Sequence, residues 1–382
     1  MKTTATAIVL AAGYSSRMGA FKPLLPLGET TILERIIALF QDAGVSDIRV
    51  VVGYRSDALL PLLRKMEVAC MVNEDFEAGM FSSVKVGVKS IQKSADPFFI
   101  LPVDIPLIRP WTLRSLFQAY QGKKGEIIHP CFQGKRGHPP LISSRLADQI
   151  TGWSGRDGLR GALAQFEAHA IQIEVPDENI LFDVNTQDDY QQLQAKWRHY
   201  DVPTRQECET LLNTTFAIRK GLYDHCHLVA QLASLMGTAL IGAGCCLDLD
   251  LTRAGAVLHD IAKGRPQHAR TGGQILGEMG YPRVAEIVAA HVDIVIHERE
   301  EIDESQVVYL SDKMAQGDQY VANFKPRFEA KLVEFSHAPD VQRNITRRLE
   351  HALIIQSRVE TKLNRPLEDV LSEDVFKAAD AI

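Results

Sequence analysis

The chain has 382 residues, room for about two or three domains at ~100–200 residues each. Its composition, 46% apolar and 24% charged, is that of a globular protein, and a net charge of −6 gives no general pull toward nucleic acid, so an anionic ligand must be held by local groups. No apolar run approaches the ~20 residues of a bilayer span, no signal-peptide pattern opens the chain, and six cysteines without framework or zinc-ribbon spacing imply a reduced, cytoplasmic protein.

Up to about residue 195, β-rich runs alternate with helical ones. AIVLAAG (7–13), IRVVVGY (48–54), EVACMVN (67–73), PFFILPVD (97–104), GEIIHP (125–130) and IQIEVP (171–176) read as strands. Between them, ILERIIALFQDAG (32–44) and MFSSVKVGVKSI (80–91) carry helical apolar spacing, the first closing on a glycine cap. This alternation predicts βα units and a mostly parallel, doubly wound, Rossmann-like α/β sheet. From about residue 205 strand-like runs almost vanish and helical periods take over: TRQECETLLNTT, DHCHLVAQLASLMG, LTRAGAVLHDIA, HARTGGQILGEMG, PRVAEIVAAHV and SQVVYLSDKMAQ. The polar stretch WRHYDVPTRQ marks the boundary, with an α/β domain expected over 1–200 and an all-α domain over 205–382. No internal repeat is evident.

The first predicted strand runs into LAAGYSSRMGAFKPLLPLG (10–28). Ligands of doubly wound sheets bind beyond the carboxyl ends of the strands. There Gly13 and Gly19 let the backbone come close, free amides can face phosphate oxygens, and Arg17 and Lys22 neutralise charge. The string is neither a Walker A loop nor a G-x-G-x-x-G loop. Asp104 closes the run FFILPV at a strand-to-loop junction, and Asp183 follows ILF in a second such place. Magnesium asks for one or two such carboxylates, with phosphates and water completing its shell. Either aspartate alone is equally well explained as a turn or capping residue.

The opening string closely resembles the signature L-A-A-G-x-S-x-R-M-G-x-x-K of nucleotidyltransferases that activate small cofactors and sugars. VVVGYR (50–55), NEDFEAGMFSSVKVGV (73–88), LPVDIP (101–106), RGHPPL (136–141) and FDVNTQDDY (182–190) narrow the likeness to the MobA-like molybdenum cofactor nucleotidyltransferases, over roughly residues 5–195. The resemblance implies a sheet of the nucleotide-diphospho-sugar transferase type. It also implies attack of a molybdopterin-type phosphate on the α-phosphorus of a nucleoside triphosphate, with pyrophosphate leaving. In that likeness Leu10, Ala11, Ala12, Gly13, Arg17 and Lys22 surround the triphosphate, while Asn73, Gly79, Ser82 and Ser83 lie near base and ribose. Asp104 and Asp183 hold Mg²⁺, Arg17, Lys22 and Asp104 act in catalysis, and Arg136, Gly137, His138 and Pro139 flank the pterin. Ala12 stands where guanylyltransferases of the family show glycine, and Phe21 rather than an aspartate precedes Lys22, so the likeness favours CTP over GTP. A sugar or alditol phosphate stays open as acceptor, because the wider group shares the loop.

The second half carries His225, His259-Asp260, His268, His291 and Asp312. Helical spacing sets His225 on one face with Leu228, Val229 and Leu232, and His227 on a more polar one. It also sets His291 behind Val284, Ile287 and Val288, and Asp312 behind Val308, so four of the candidate ligands, counting His259 after Leu258, point inward or follow an inward face. One buried histidine is more often a hydrogen-bonded core residue than a ligand. The joint set favours a metal, and imidazole with carboxylate suits iron, manganese or zinc better than calcium. The order H…HD…H…H…D resembles the metal-dependent HD phosphohydrolase superfamily over about residues 220–320. That likeness implies one metal on His225, His259, Asp260 and Asp312, a second site completed by His268 and His291, and a catalytic role for Asp260. Hydrolysis of a phosphoester or pyrophosphate bond follows from it. Lys263 and Arg265 suit either a phosphate contact or plain exposure. The alternative is a regulatory or docking module serving a molybdoenzyme.

Overall fold

All six β-rich runs become strands of one eight-stranded sheet in the computed structural model. The structure describes residues 3–91, 96–122, 125–297 and 301–371, and the chain divides into two units, Met1–Tyr200 and Asp201–Ile382. Across the sheet the strands run Ala170–Glu174, Ile127–Phe132, Leu141–Ile142, Phe98–Pro102, Thr3–Ala11, Val45–Val52 and Ala69–Val72. Lys135–Arg136 pairs with Ile127–Phe132 off that path. Thr3–Ala11 is flanked in parallel by Val45–Val52 on one side and Phe98–Pro102 on the other. Chain order therefore reverses at Thr3–Ala11, which makes its carboxyl end the switch point where such sheets hold ligands.

The first strand earns its central place by composition. Ala7, Ile8 and Val9 are fully buried, as an unbroken apolar run must be when helices cover both faces. One cover is Met80–Ser90, where a Cβ on Gly87 would stand 2.4 Å from Ile8 Cγ2, so only glycine allows this approach. Another helix, Ile32–Asp42, starts in a capping box between Thr31 and Glu34 and ends before Gly44, whose φ of 86° supplies the expected glycine stop.

Two local readings change. Leu141–Ile142, which lies outside the six expected strands, is an antiparallel strand wedged between Phe98–Pro102 and Ile127–Phe132. ILF is not a strand end: Glu178–Leu181 is a 3₁₀ turn capped by the Asp177 side chain, so a local cap overrides three apolar residues.

The second unit is helical apart from a two-stranded pair, Ala315–Gln316 with Gln319–Tyr320. Leu249–Leu258 packs against Lys220–Gly242 and Glu304–Lys313, and His268–Met279 packs against Pro282–Ala290. Lys325–Glu334 and Pro339–Leu363 follow. Two expected helices stop early, at Leu258 and Ala290, which leaves His259 and His291 as their C-cap residues. Among the described residues no helix is long and apolar enough to cross a membrane.

Candidate active sites

At the switch point, main-chain bonds lace three loops together. Val103 N–H donates to Leu10 O at 3.0 Å, Val184 N–H to Asp104 O at 2.9 Å, and His138 N–H to Ile180 O at 2.9 Å. Asp104 and Asp183 are thereby held as neighbours, although they lie far apart in sequence. The opening loop turns through Ser15, at φ 55°, whose Oγ accepts from Lys22 N–H at 3.2 Å. That turn buries the Lys22 side chain and sets its Nζ 3.4 Å from Asp104 Oδ2. Arg17 is exposed and donates to Asn185 Oδ1 at 3.0 Å, while Asn185 Nδ2 donates to Asp183. The two cations and two aspartates thus form one polar cluster beyond the sheet.

His138 belongs to the same place. Its surface is exposed, yet dense surroundings desolvate the imidazole and lower its pKa, against the opposing carboxylates of Asp104 and Asp183. Gly137 is required beside it, since a Cβ there would meet Ile180 O at 2.5 Å. Pro139 is buried behind a cis peptide bond. Arg136 turns elsewhere, its guanidinium paired with the Glu167 carboxylate.

The expected base and ribose residues form a closed turn. Asn73 is buried, its Nδ2 donating to Ser82 Oγ at 2.8 Å and Ser83 Oγ at 2.9 Å, and its Oδ1 accepting from Asp75 N–H at 3.1 Å. Its amide therefore shapes the entry to Met80–Ser90 and presents no spare donor. Gly79, at φ 95°, has open space around it, whereas Leu10, Ala11 and Ala12 are buried and only Gly13 faces solvent.

The helical unit brings all six of its candidate ligands together. Asp260 Oδ1 lies 3.2 Å from His268 Nε2 and 3.3 Å from His291 Nε2, and Asp260 Oδ2 lies 3.5 Å from His259 Nε2. Asp312 Oδ1 stands 3.3 Å from His225 Nε2 and 3.6 Å from His259 Nε2. Two groups have metal-binding spacing, His225–His259–Asp260 and Asp260–His268–His291, with Asp260 common to both.

Helix ends account for the aim of the rings. A terminal turn leaves carbonyls without an intrahelical donor. His259 Nδ1 reaches Ala256 O at 2.7 Å and His291 Nδ1 reaches Val288 O at 2.6 Å, each three residues back. His225 Nδ1 meets Gly317 O at 2.9 Å. A carbonyl can only accept, so these rings carry hydrogen on Nδ1 and, when neutral, present an Nε2 lone pair to the centre, the orientation that metal-binding imidazoles need. Burial lowers the pKa of His291 and His268, which favours their neutral forms. At Asp312 burial raises the pKa, but the adjoining Lys313 cation prevails and holds the carboxyl well below its usual range. His259 Nε2, His268 Nε2 and Asp260 Oδ1 are buried without a hydrogen-bond partner. Orphaned acceptors of this kind are costly, and a divalent ion satisfies them. The residues fit a metal.

Lys263 Nζ binds Asp260 Oδ2 at 2.8 Å, whereas Arg265 is exposed and does not line the centre. His227 pairs with Glu209 at 3.2 Å outside it. The cavity beside the centre also takes in Arg327, Lys331 and Arg348, which motif reading passed over. The i, i+4 cations flanking Phe328 in KPRFEAK were the available signal.

A MobA-like NTP transferase domain matches residues 7–171 and an HD domain matches residues 222–317. The molybdenum cofactor cytidylyltransferase of Escherichia coli is 30% identical over 202 residues, 51% of this chain and 97% of that protein. A mannose-1-phosphate guanyltransferase of Aspergillus fumigatus is 28% identical over 155 residues, 37% of this chain and 43% of that one. The solved structure of Rv0371c from Mycobacterium tuberculosis is 26% identical, with a TM-score of 0.45, covering 51% of this chain and all of the other.

Proposed function

Since the chain belongs to the MobA-like NTP transferase family and carries an HD domain behind it, we propose that its first half transfers CMP from CTP to a molybdopterin-type cofactor and its second half hydrolyses a phosphoester or phosphoanhydride. The cluster of Arg17, Lys22, Asp104 and Asp183 at the switch point carries the first part of this reading. In it, an oxygen of the cofactor's phosphate attacks the α-phosphorus, the bond to the β-phosphate bridge breaks, and pyrophosphate departs. Lys22 and Arg17 hold the triphosphate and neutralise the leaving charge. Asp104 and Asp183 would hold Mg²⁺, which when bound supplies further charge neutralisation on the phosphates. Gly137 and His138 orient the acceptor from the opposite wall.

Cytidine as the base and molybdopterin as the acceptor draw support from the E. coli relative, most of whose length the chain spans. A second reading, GTP with a sugar phosphate, draws on the guanyltransferase likeness. A cytoplasmic setting fits the six free cysteines. In the second half, His225, His259, Asp260, His268, His291 and Asp312 would hold one or two ions of iron, manganese or zinc, which lower the pKa of water and polarise a phosphoryl group when bound. Lys263 stands beside Asp260 to meet the substrate phosphate.

The test is pyrophosphate release with CTP or GTP, Mg²⁺ and molybdenum-loaded molybdopterin. Release is expected to prefer CTP and to fall ~10²–10³-fold in Asp104→Ala, the scale of losing one electrostatic stabiliser. No acceptor-dependent release with either nucleotide overturns the molybdopterin reading.

A further inference from the structure

The cavity beside the HD centre holds more positive charge than its metal ligands call for. It measures about 500 Å³, and its lining includes five cations, Lys263, Lys313, Arg327, Lys331 and Arg348, against two carboxylates, Asp260 and Asp312. Three cations are matched. Lys263 lies 2.8 Å from Asp260, Lys313 lies 2.7 Å from Asp312, and Arg348 grips Asp293 through Nε at 2.8 Å and an Nη at 2.7 Å.

Among the described residues, no carboxylate forms an ion pair with Arg327 or Lys331. Arg327 donates to two carbonyls, Ala315 O at 2.8 Å and Lys313 O at 3.0 Å, which fix its guanidinium without neutralising it. Lys331 has no hydrogen-bond or ion-pair partner among the described residues. Lys331 is exposed at the surface, yet its surroundings desolvate the ammonium and, with the charges of Arg327, Lys313 and Arg348, lower its pKa against the opposing Asp312 carboxylate; these cations line one shared space. The two residues sit one turn apart on Lys325–Glu334, and Phe328 between them is buried. Like charges crowded without a counter-ion destabilise a fold, and an anion seated between them removes that cost.

A lone phosphoryl group at the metal centre leaves Arg327 and Lys331 unused; a second one linked to it matches them in charge and in donor type. Resting on the phosphohydrolase reading above, we propose that Arg327 and Lys331 form a subsite for a second phosphoryl group. The HD half then prefers phosphoanhydrides, with two linked phosphoryl groups, over simple monoesters. In the reaction, water adds to one phosphorus, the P–O–P bridge breaks on the far side, and the bridging oxygen leaves with the second phosphate, one proton passing to solvent.

The first probe is inorganic pyrophosphate against inorganic phosphate, titrated calorimetrically into the full chain. Pyrophosphate also suits the transferase cleft, so a Lys22→Ala background isolates the second site. Lys331→Ala removes no hydrogen bond and so leaves folding intact; Arg327→Ala is added to it in a second variant. The expected loss is ~10–100-fold in pyrophosphate affinity, the scale of hydrogen bonds to charged groups, with phosphate affinity nearly unchanged. Parallel turnover of a nucleoside diphosphate and p-nitrophenyl phosphate by the metal-loaded protein should raise KM for the first substrate alone. Equal loss for both anions, or none, overturns the subsite. Pyrophosphate binding that depends on Lys331 but comes with no turnover of either substrate, anhydride or ester, keeps the subsite and overturns the hydrolase.

Discussion

Beyond the parallel sheet, the candidate ligands are two aspartates already engaged with Lys22 and Asn185, and Arg17 and Asp183 are exposed. Inside the helical unit they are six, with His259, Asp260 and His291 almost wholly buried and three rings anchored through Nδ1. The first arrangement is held by main-chain bonds between loops and leaves coordination positions for phosphate and water, as magnesium prefers. The second aims side chains at one point and leaves buried acceptors unsatisfied. On the proposed reading, one site would be completed by its substrate and the other by an ion.

Metal removal divides the two halves most sharply. Asp260 belongs to both ligand groups, so Asp260→Ala should cost at least about 100-fold in metal affinity, read as metal content after dialysis. Chelation of the wild type should lower the thermal transition of the second unit by ~5 °C, the effect of losing a saturating ligand, and leave the first unit unmoved. Retained metal in Asp260→Ala would remove the contrast.

A backbone change probes the first half in turn. Gly137→Ala places a methyl group 2.5 Å from Ile180 O, and the strain should cost up to about 3 kcal/mol while raising KM for the acceptor. If the acceptor KM stays put, the loop carrying His138 does not position it.

The smallest effect is a pH dependence in the sheet. Burial, aided by Arg136, holds His129 at about 4 instead of 6.5. Between those values the unfolded chain binds the proton and the folded one does not, so stability falls as pH drops through this window and the loss is complete below it. Allowing for partial exposure, about 2 kcal/mol is at stake. The drop in denaturant stability from pH 7 to near the lower limit should be larger in the wild type than in His129→Gln by that amount. Identical behaviour of the two would exclude His129 as the source.

The sequence carried the sheet because its strands are long, β-rich and punctuated: AIVLAAG and PFFILPVD needed no context. It missed Leu141–Ile142, where two residues are too few for a period, and misjudged ILF, where the Asp177 cap prevails. The six candidate HD residues were legible as an ordered motif, yet nothing in the spacing foretold that two of them cap their helices. Arg327 and Lys331 were marked only by their i, i+4 spacing, a signal too common to single them out. A cation on a surface helix is ordinary until the fold shows what it faces.

The Val184–Asp104 hydrogen bond joins the segments bearing the two candidate aspartates, Asp104 and Asp183, through backbone atoms alone. Replacing either carboxylate leaves it whole, so the scaffold can drift toward other acceptors or bases while the two positions stay in register. Proline at 184 is the one residue that abolishes its donor. Geometry here is inherited with the fold, and chemistry is left free to evolve on top of it.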